Sequence, residues 1–433
     1  MTITFIGHGY VGLVTACVFA DFGNKVWVIG HTKEKIERLK KGDPIIYEPG
    51  LKELLQKNLK ENRIHFTLDY ENAIPESDIV FIAVGTPSKK NGEASLDSVF
   101  EVAEKIGKHL KKGTTVVSCK STVPMGTNNK LKALLFRVKP KNAEVFIASC
   151  PEFLREGNAI YDTLNPDRVI IGSDSKKATD ALTELHRPIN GKRVITDLAS
   201  AELIKYTSNA MLATKISFAN FISFYCEKTG ADVETVLNAV GLDKRIGRIF
   251  MDPGVGYGGS CLPKDVRALI KMGHTLGIDT QFLDGVKSVN EQSRKNLLNK
   301  ILKHTRDKTI SIWGLTFKPN TDDIRDAPSV FVIQELLKHG YTISVYDLAG
   351  IANMRKIFAD QLTYHVSPYE VVRNSSALVI LTEWNDFKQI DLKKVKKLMR
   401  YPLIFDGRNI YEPKMMKEAG FSYFSVGRKP ILK

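Results

Sequence analysis

The chain has 433 residues, 43% hydrophobic and 26% charged, which excludes a disordered or fibrous protein and leaves room for two to three domains. Sixty-three Lys and Arg against 48 Asp and Glu give a net charge of +15; the surplus suits anionic ligands, yet no basic run is long enough to read as a nucleic-acid tail. Five scattered cysteines without a CxxC argue against a disulfide framework or a zinc site and fit a reducing cytoplasm, and no apolar run reaches the roughly 18 residues of a membrane helix. Met1 leads directly into a strand pattern, so no signal peptide is expected.

Thr2 to Ile6 reads as a buried strand. Gly7-His8-Gly9-Tyr10-Val11-Gly12 follows, then a helix over Leu13 to Phe22 and a strand over Lys25 to Ile29. A lone G-x-G-x-x-G is weak. Between a strand and a helix of one βαβ unit it predicts dinucleotide binding, because the glycines let a pyrophosphate sit on the helix N-terminus. The acidic residue expected at the end of the second strand is missing: Gly30-His31-Thr32-Lys33 stands there. No carboxylate repels a 2′-phosphate, so NADP is expected to be tolerated or preferred; Glu34 or a backbone contact serving NAD is the alternative.

The βα rhythm continues with strands over Asp78 to Val84, Thr114 to Cys119, Glu144 to Ser149 and Asp167 to Gly172, and helices over Leu96 to Leu110 and Ser175 to Leu185. Ligands of a doubly wound sheet bind beyond the strand carboxyl ends, which makes Thr86, Thr122 and Glu152 candidates; each could equally be a turn residue. Ala199 to Glu227 forms a long helical pattern carrying Lys205 and Asn209 on one face. A lysine and an amide on an apolar helix suit the stabilisation of an oxyanion. A short helix over Asp232 to Val240 precedes Gly256-Tyr257-Gly258-Gly259-Ser260-Cys261-Leu262-Pro263-Lys264-Asp265. Three glycines leading into a thiol, with a lysine nearby, offer a nucleophile; a glycine turn around a core cysteine is the bland alternative. A helical region ends near Leu302. Strands over Thr309 to Trp313, Thr342 to Tyr346, Leu378 to Leu381 and, last, Leu403 to Phe405 form a second α/β set with a helix over Ser329 to Lys338. This half lacks G-x-G-x-x-G and could hold a second nucleotide, with Lys318 and Arg408 on its phosphates. The basic C-terminal tail is expected to be mobile.

These motifs together carry a resemblance. GHGYVGL (7–13), YEPGL (47–51), GTPS (85–88), STVP (121–124), PEFLREG (151–157), AELIKYTSNAMLA (201–213), GYGGSCLPKD (256–265), FKPNTDDIRDAPS (317–329), TEW (382–384) and FDGRN (405–409) resemble, in order and nearly end to end, the nucleotide-sugar 6-dehydrogenases, most closely their bacterial UDP-glucose branch. The GDP-mannose branch shares GGSCLPKD, and VGTPSKKNG (84–92) is also similar to it. The resemblance implies two Rossmann-like domains with mainly parallel sheets joined by a long central helix, divided as 1–198, 199–303 and 304–433. It implies a homodimer or higher homo-oligomer and oxidation of a sugar C6 alcohol to a carboxylate with two NAD. It also implies a thiohemiacetal and then a thioester on cysteine, which is what makes a four-electron oxidation plausible.

The resemblance further implies roles. Cys261 is the nucleophile. Lys205 and Asn209 stabilise the oxyanion, Asp265 and Thr122 position water, and Glu152 acts in acid–base steps. Glu152, Phe153, Leu154, Arg155, Lys205, Asn209, Arg245, Tyr257, Gly258, Phe317, Lys318 and Arg408 resemble sugar-nucleotide contacts, with Arg245 reaching a neighbouring subunit. Gly7, Gly9, Tyr10, Val11, Gly12, Gly30, His31, Thr32, Lys33, Thr86, Thr122, Glu156, Lys264 and Arg325 fall at cofactor positions. Gly30 departs from the family's usual aspartate. UDP-glucose is the expected substrate, with no metal, no nucleic acid and no membrane partner. The alternatives are GDP-mannose oxidation and a dinucleotide-binding regulator whose basic surface meets nucleic acid.

Overall fold

The computed structural model describes residues 1–433. The chain divides into two compact units, one of Met1–Ser208 with Arg267–Met272, the other of Asn209–Val266 with Gly273–Lys433.

The first unit is built on eight strands: β1 (Thr2–Ile6), β2 (Lys25–Ile29), β3 (Ile64–Thr67), β4 (Ile79–Ile82), β5 (Gly113–Cys119), β6 (Ala143–Ser149), β7 (Arg168–Gly172) and β8 (Lys192–Thr196). Their order across the sheet is β3-β2-β1-β4-β5-β6-β7-β8, so the crossover reverses between β1 and β4. All neighbours are parallel except β6 and β7. Ile3 is in register with Val26 on one side and Ile79 on the other. The central strands are apolar runs because helices cover both faces; all four residues of β4 are buried. The rings of Phe5 and Phe81 stack at 4.8 Å in this core, with Phe19 of the first helix, Tyr10–Asp21, packed on both.

The second unit holds six strands: β9 (Thr309–Trp313), β10 (Thr342–Tyr346), β11 (Thr363–Tyr364), β12 (Ala377–Ile380), β13 (Leu403–Asp406) and β14 (Ser422–Phe424). The order β11-β10-β9-β12-β13-β14 is parallel throughout and repeats the 3-2-1-4-5-6 order of the first six strands. Leu403 to Phe405 is therefore not the last strand. The tail expectation is corrected as well. Tyr423 and Ile431 exchange backbone hydrogen bonds of 2.8 and 2.9 Å. Arg428 is buried beside Asp232, and donates to the Tyr411 carbonyl. A basic tail is held here because its arginine finds an acceptor and a carboxylate.

One helix, Leu198–Thr229, runs 32 residues without glycine or proline. It stops at Gly230, which takes a positive φ and returns its N–H to the Cys226 carbonyl. The division between the units falls within it, after Ser208. No helix is long and apolar enough to cross a membrane.

Candidate active site

The glycine loop leaves β1 and enters the first helix with no residue to spare. Gly7 has φ +118, and a Cβ there would meet the Ala83 carbonyl oxygen at 2.3 Å. A Cβ on Gly12 would meet the Gly7 oxygen at 2.1 Å, so the helix can lie this close to the strand only as glycine. Gly9 caps the helix with no side-chain bond, and nothing lies within 4 Å of a Cβ added to it. The helix N-terminus is therefore uncrowded at Gly9, and an open helix N-terminus is the arrangement that receives a pyrophosphate. The residues present fit a dinucleotide. Tyr10 is tied by its hydroxyl to the Tyr47 carbonyl at 2.7 Å. Gly30 directly follows β2 beside His8 and precedes His31, Thr32 and Lys33, with the His8 and His31 rings 5.0 Å apart. Thr86 donates to the Thr122 carbonyl at 2.9 Å, joining the loops after β4 and β5.

The loop after β6 carries Glu152. It is buried, with one oxygen 2.9 Å from the ammonium of Lys205 on the long helix and the other accepting the Leu154 N–H at 2.7 Å. Lys205 lies 5.2 Å from the ring centroid of Phe153, whose face also meets the Arg168 guanidinium at 4.0 Å. A buried carboxylate and ammonium in contact can exchange a proton or share charge with a third group. The YEPGL stretch explains itself here. Glu48 accepts the N–H groups of Gly157 and Ala159 at 2.6 and 2.7 Å and pins the far end of the Glu152 loop. Arg155 does not join this group; it is bidentate to Asp162, which raises its pKa.

In the second unit, Cys261 immediately precedes the helix Leu262–Thr275 and accepts the Asp265 N–H on its carbonyl at 2.9 Å. It is exposed, whereas Cys17, Cys119, Cys150 and Cys226 are buried. Burial pushes the Cys17 and Cys119 thiols up to about 12, which makes them inert packing groups. A helix N-terminus favours negative charge on the Cys261 sulfur. Asp265 is buried; Asn209 donates to it at 2.6 Å and the Lys264 ammonium pairs with its other oxygen. Lys205 and Asn209 are one turn apart on a single helix, as their spacing requires.

Loop packing sets the cysteine. Asn290 accepts the Tyr257 N–H at 2.8 Å and donates to its carbonyl at 3.1 Å, while Arg294 donates to the same carbonyl at 2.7 Å. A Cβ on Gly258 would strike the Asp326 oxygen at 2.5 Å, and one on Gly259 would strike the Phe317 ring at 2.8 Å. Gly259 also donates to the Arg325 carbonyl at 2.8 Å. The GYGG run is thus needed to lie flat against the 317–327 loop. That loop is held by Asp323, bidentate to Arg325, and by Arg408, which donates to the carbonyls of Leu381 and Phe317 at 2.9 and 3.1 Å. Phe317, Lys318 and Arg408 meet at the carboxyl ends of β9, β12 and β13, where a doubly wound sheet takes its ligand. Arg245 stands apart: its side chain is 88% exposed and pairs with Asp243, leaving one face of the guanidinium to solvent.

Sequence reasoning passed over Asn290, Arg294, Asp323, Asp347 and Glu202. Glu202 is buried and accepts the N–H groups of Gly126 and Asn128 at 2.6 and 2.7 Å; desolvation raises its pKa despite them. Asp323 stood inside a motif and could have been found there. Asn290 and Arg294 lie on the helix Gln281–His304, in no motif, and only the fold shows what they bind.

Comparison with known proteins agrees over the whole length. Three models of the UDP-glucose/GDP-mannose dehydrogenase family match in order: its NAD binding domain over residues 1–190, its central domain over 199–292 and its UDP binding domain over 311–413. The chain is 45% identical to UDP-glucose 6-dehydrogenase YwqF of Bacillus subtilis, covering 100% of this chain and 99% of that protein. It is 42% identical to the UDP-glucose 6-dehydrogenase of Pseudomonas aeruginosa, with 99% and 98% covered. The solved structure of a UDP-glucose dehydrogenase from Pyrobaculum islandicum superposes with a TM-score of 0.92 at 36% identity, covering 99% of this chain and 98% of that one. The glycine loop, the exposed cysteine and these matches lead to one conclusion: the chain belongs to the UDP-glucose/GDP-mannose dehydrogenase family.

Proposed function

We propose that the chain oxidises the C6 alcohol of UDP-glucose to the carboxylate of UDP-glucuronate. The observation that carries this is Cys261: the one exposed cysteine, at a helix N-terminus, beside the Asn209–Asp265–Lys264 group. An enzyme that stopped at the aldehyde would have no use for it. Bound NAD supplies the hydride acceptor for both oxidations. Gly7, Gly9, Tyr10, Val11 and Gly12 hold the pyrophosphate end, and the absence of a carboxylate at Gly30 to Lys33 admits NADP as well. Thr86, Glu156, Lys264 and Arg325 complete the cofactor contacts.

The chain's own residues act in turn. Lys205 and Asn209 face the oxygen on C6 as it loses its proton and again when it carries negative charge. The Cys261 sulfur adds to the aldehyde, forming a C–S bond and an oxyanion that Lys205 stabilises. Loss of the second hydride leaves a thioester. Asp265 and Thr122 position a water, Glu152 takes its proton, and cleavage of the C–S bond returns the thiol and frees the carboxylate. The balance is one alcohol and one water giving one carboxylate, two hydrides and three protons. Phe153, Leu154, Tyr257, Gly258, Phe317, Lys318 and Arg408 hold the sugar nucleotide.

The protein acts as a homodimer or higher homo-oligomer in the cytoplasm. Met211, Phe218, Phe221 and Tyr225 are 57%, 49%, 42% and 58% exposed and share one face of the long helix, an apolar stripe that suits a second copy. Arg245, exposed on the same unit, suits a neighbour's substrate. Five free cysteines fit a reducing compartment.

The test is the amount of reduced cofactor formed from limiting UDP-glucose, with NAD and NADP in parallel and GDP-mannose as the rival substrate. Two reduced cofactors per UDP-glucose are expected. One per sugar would overturn the thioester route, and reduction with GDP-mannose alone would overturn the substrate.

A further inference from the structure

The cysteine loop and the loop that follows β9 are joined by one side chain. Asn290 and Arg294 are one turn apart on the helix Gln281–His304 and donate to the same carbonyl, that of Tyr257. Asn290 serves Tyr257 alone, accepting its N–H as well. Arg294 does more. Its Nη2 donates to the Tyr257 carbonyl at 2.7 Å and to the Asp326 carbonyl at 2.9 Å, so the two N–H bonds of one nitrogen bridge two loops far apart in sequence. The Arg294 side chain is half-buried, its Nε makes no hydrogen bond, and burial holds its pKa below the ordinary arginine value. A guanidinium drawn out of water and bonded to neutral carbonyls is costly. What it supplies in return is geometry: two donors on a rigid fork at a fixed spacing. Cys261 lies four residues beyond Tyr257, and Phe317 and Lys318 lie on the other loop.

We propose that Arg294 is a positioning residue: it locks the cysteine loop to the loop carrying Phe317 and Lys318, so that the Cys261 sulfur stands at the aldehyde only while the sugar nucleotide holds that second loop in place. This rests on the proposed oxidation through Cys261. Its consequence is selective. The first hydride transfer does not use the sulfur and should proceed without the clamp. The second follows addition of the thiol and should be slowed, which gives the aldehyde time to leave.

The test compares the full-length wild type with Arg294→Met and Arg294→Lys, using UDP-glucose and NAD with and without semicarbazide as an aldehyde trap. The wild type should lose no aldehyde to the trap. Arg294→Met should form acid about thirtyfold more slowly, while its first hydride transfer in a single turnover changes by less than about twofold and trapped aldehyde appears. Arg294→Lys keeps the charge but is too short to span both carbonyls, and should fall between; it carries the comparison should Arg294→Met fail to fold. A second readout needs no turnover: the rate at which iodoacetamide alkylates Cys261, followed by peptide mass spectrometry. Saturating UDP, which brings no sugar to cover the sulfur, should slow alkylation about fivefold in the wild type and less than about twofold in Arg294→Met. Equal slowing of both hydride transfers without trapped aldehyde, or the same UDP effect in wild type and variant, would overturn the proposal while leaving the oxidation standing. So would normal acid formation in a variant that loses only melting temperature. A wild type that forms no acid from UDP-glucose would overturn the oxidation itself, and the proposal with it.

Discussion

The two sheets share one strand order and use their first crossover in opposite ways. In the first unit the loop after β1 is only Gly7-His8-Gly9, and the helix behind it has no side-chain cap and is open at Gly9. In the second, the loop after β9 runs from Gly314 to the helix Pro328–Lys338, and its backbone is already spoken for. Asp347, at the end of β10, accepts the N–H groups of Leu315 and Thr316 at 2.6 and 3.3 Å, those of Ala349 and Gly350 at 2.8 and 2.7 Å, and the Trp384 indole at 3.2 Å. This is the position at which a dinucleotide fold places its ribose-binding carboxylate. The second sheet has the carboxylate and spends it on its own loop. The first lacks the carboxylate at Gly30 and keeps its loop open. Topology alone therefore does not make a dinucleotide site; what the backbone N–H groups at the crossover are bonded to decides it.

That contrast can be broken at its strongest point. Asp347→Ala would leave three buried N–H groups, a half-buried one and an indole without their acceptor, and we expect it to destabilise the second unit by about 3–5 kcal/mol. Urea unfolding followed by hydrogen exchange in β9 and β12 measures this; a loss under about 1 kcal/mol would mean the loop holds itself. Gly9→Val acts on the open loop. Because nothing lies near the added carbon, the fold should stand, while NADH affinity drops about a hundredfold as the side chain takes the pyrophosphate's place. Gly12→Val is the control: its Cβ has the Gly7 oxygen at 2.1 Å, so it should lower the melting temperature itself. If Gly9→Val binds NADH normally, the loop is not the anion site.

The smallest effect is a pH dependence expected of the first unit. His186 is held down to about 3 by burial first and by Lys120 second, and packs edge-on to Phe19. The folded state refuses a proton that the unfolded chain accepts below its ordinary 6.5. Stability is therefore full above that value and falls as pH drops toward 3, by about 2 kcal/mol between pH 6.5 and 5. Hydrogen exchange in β1 and β4 at the two pH values reads this, and His186→Asn should flatten the slope. An unchanged slope in that variant would assign the acid sensitivity elsewhere.

Most of the architecture was legible because parallel strands buried on both faces are short apolar runs ending in glycine or a polar turn. β1, β2, β9 and β10 fall where the pattern puts them. β3 (Ile-His-Phe-Thr), β8 (Lys-Arg-Val-Ile-Thr) and β14 (Ser-Tyr-Phe) were not, since edge or near-edge strands carry polar residues and give no continuous run. Candidate site residues were proposed from the sequence where chemistry demands a type in a motif: the glycines around Gly9, Cys261, and the pair Lys205 and Asn209 at helical spacing. The residues that hold the loops around these groups, Glu48 on the Glu152 loop and Asn290 on the cysteine loop, bind backbone atoms distant in sequence. A carboxylate that caps a loop and one that holds a ligand read alike until the fold shows which N–H groups it meets.

The claim on which the rest depends is that Cys261 carries the sugar through a thioester. The direct measurement is intact-protein and peptide mass spectrometry of the Glu152→Gln variant mixed with UDP-glucose and oxidised cofactor, since loss of the proposed base should let the intermediate accumulate. The account predicts a UDP-sugar adduct on the peptide containing Cys261 and none in Cys261→Ser, whose acid formation should fall at least about a thousandfold. No adduct, together with two reduced cofactors per sugar from Cys261→Ser at the normal rate, would contradict it.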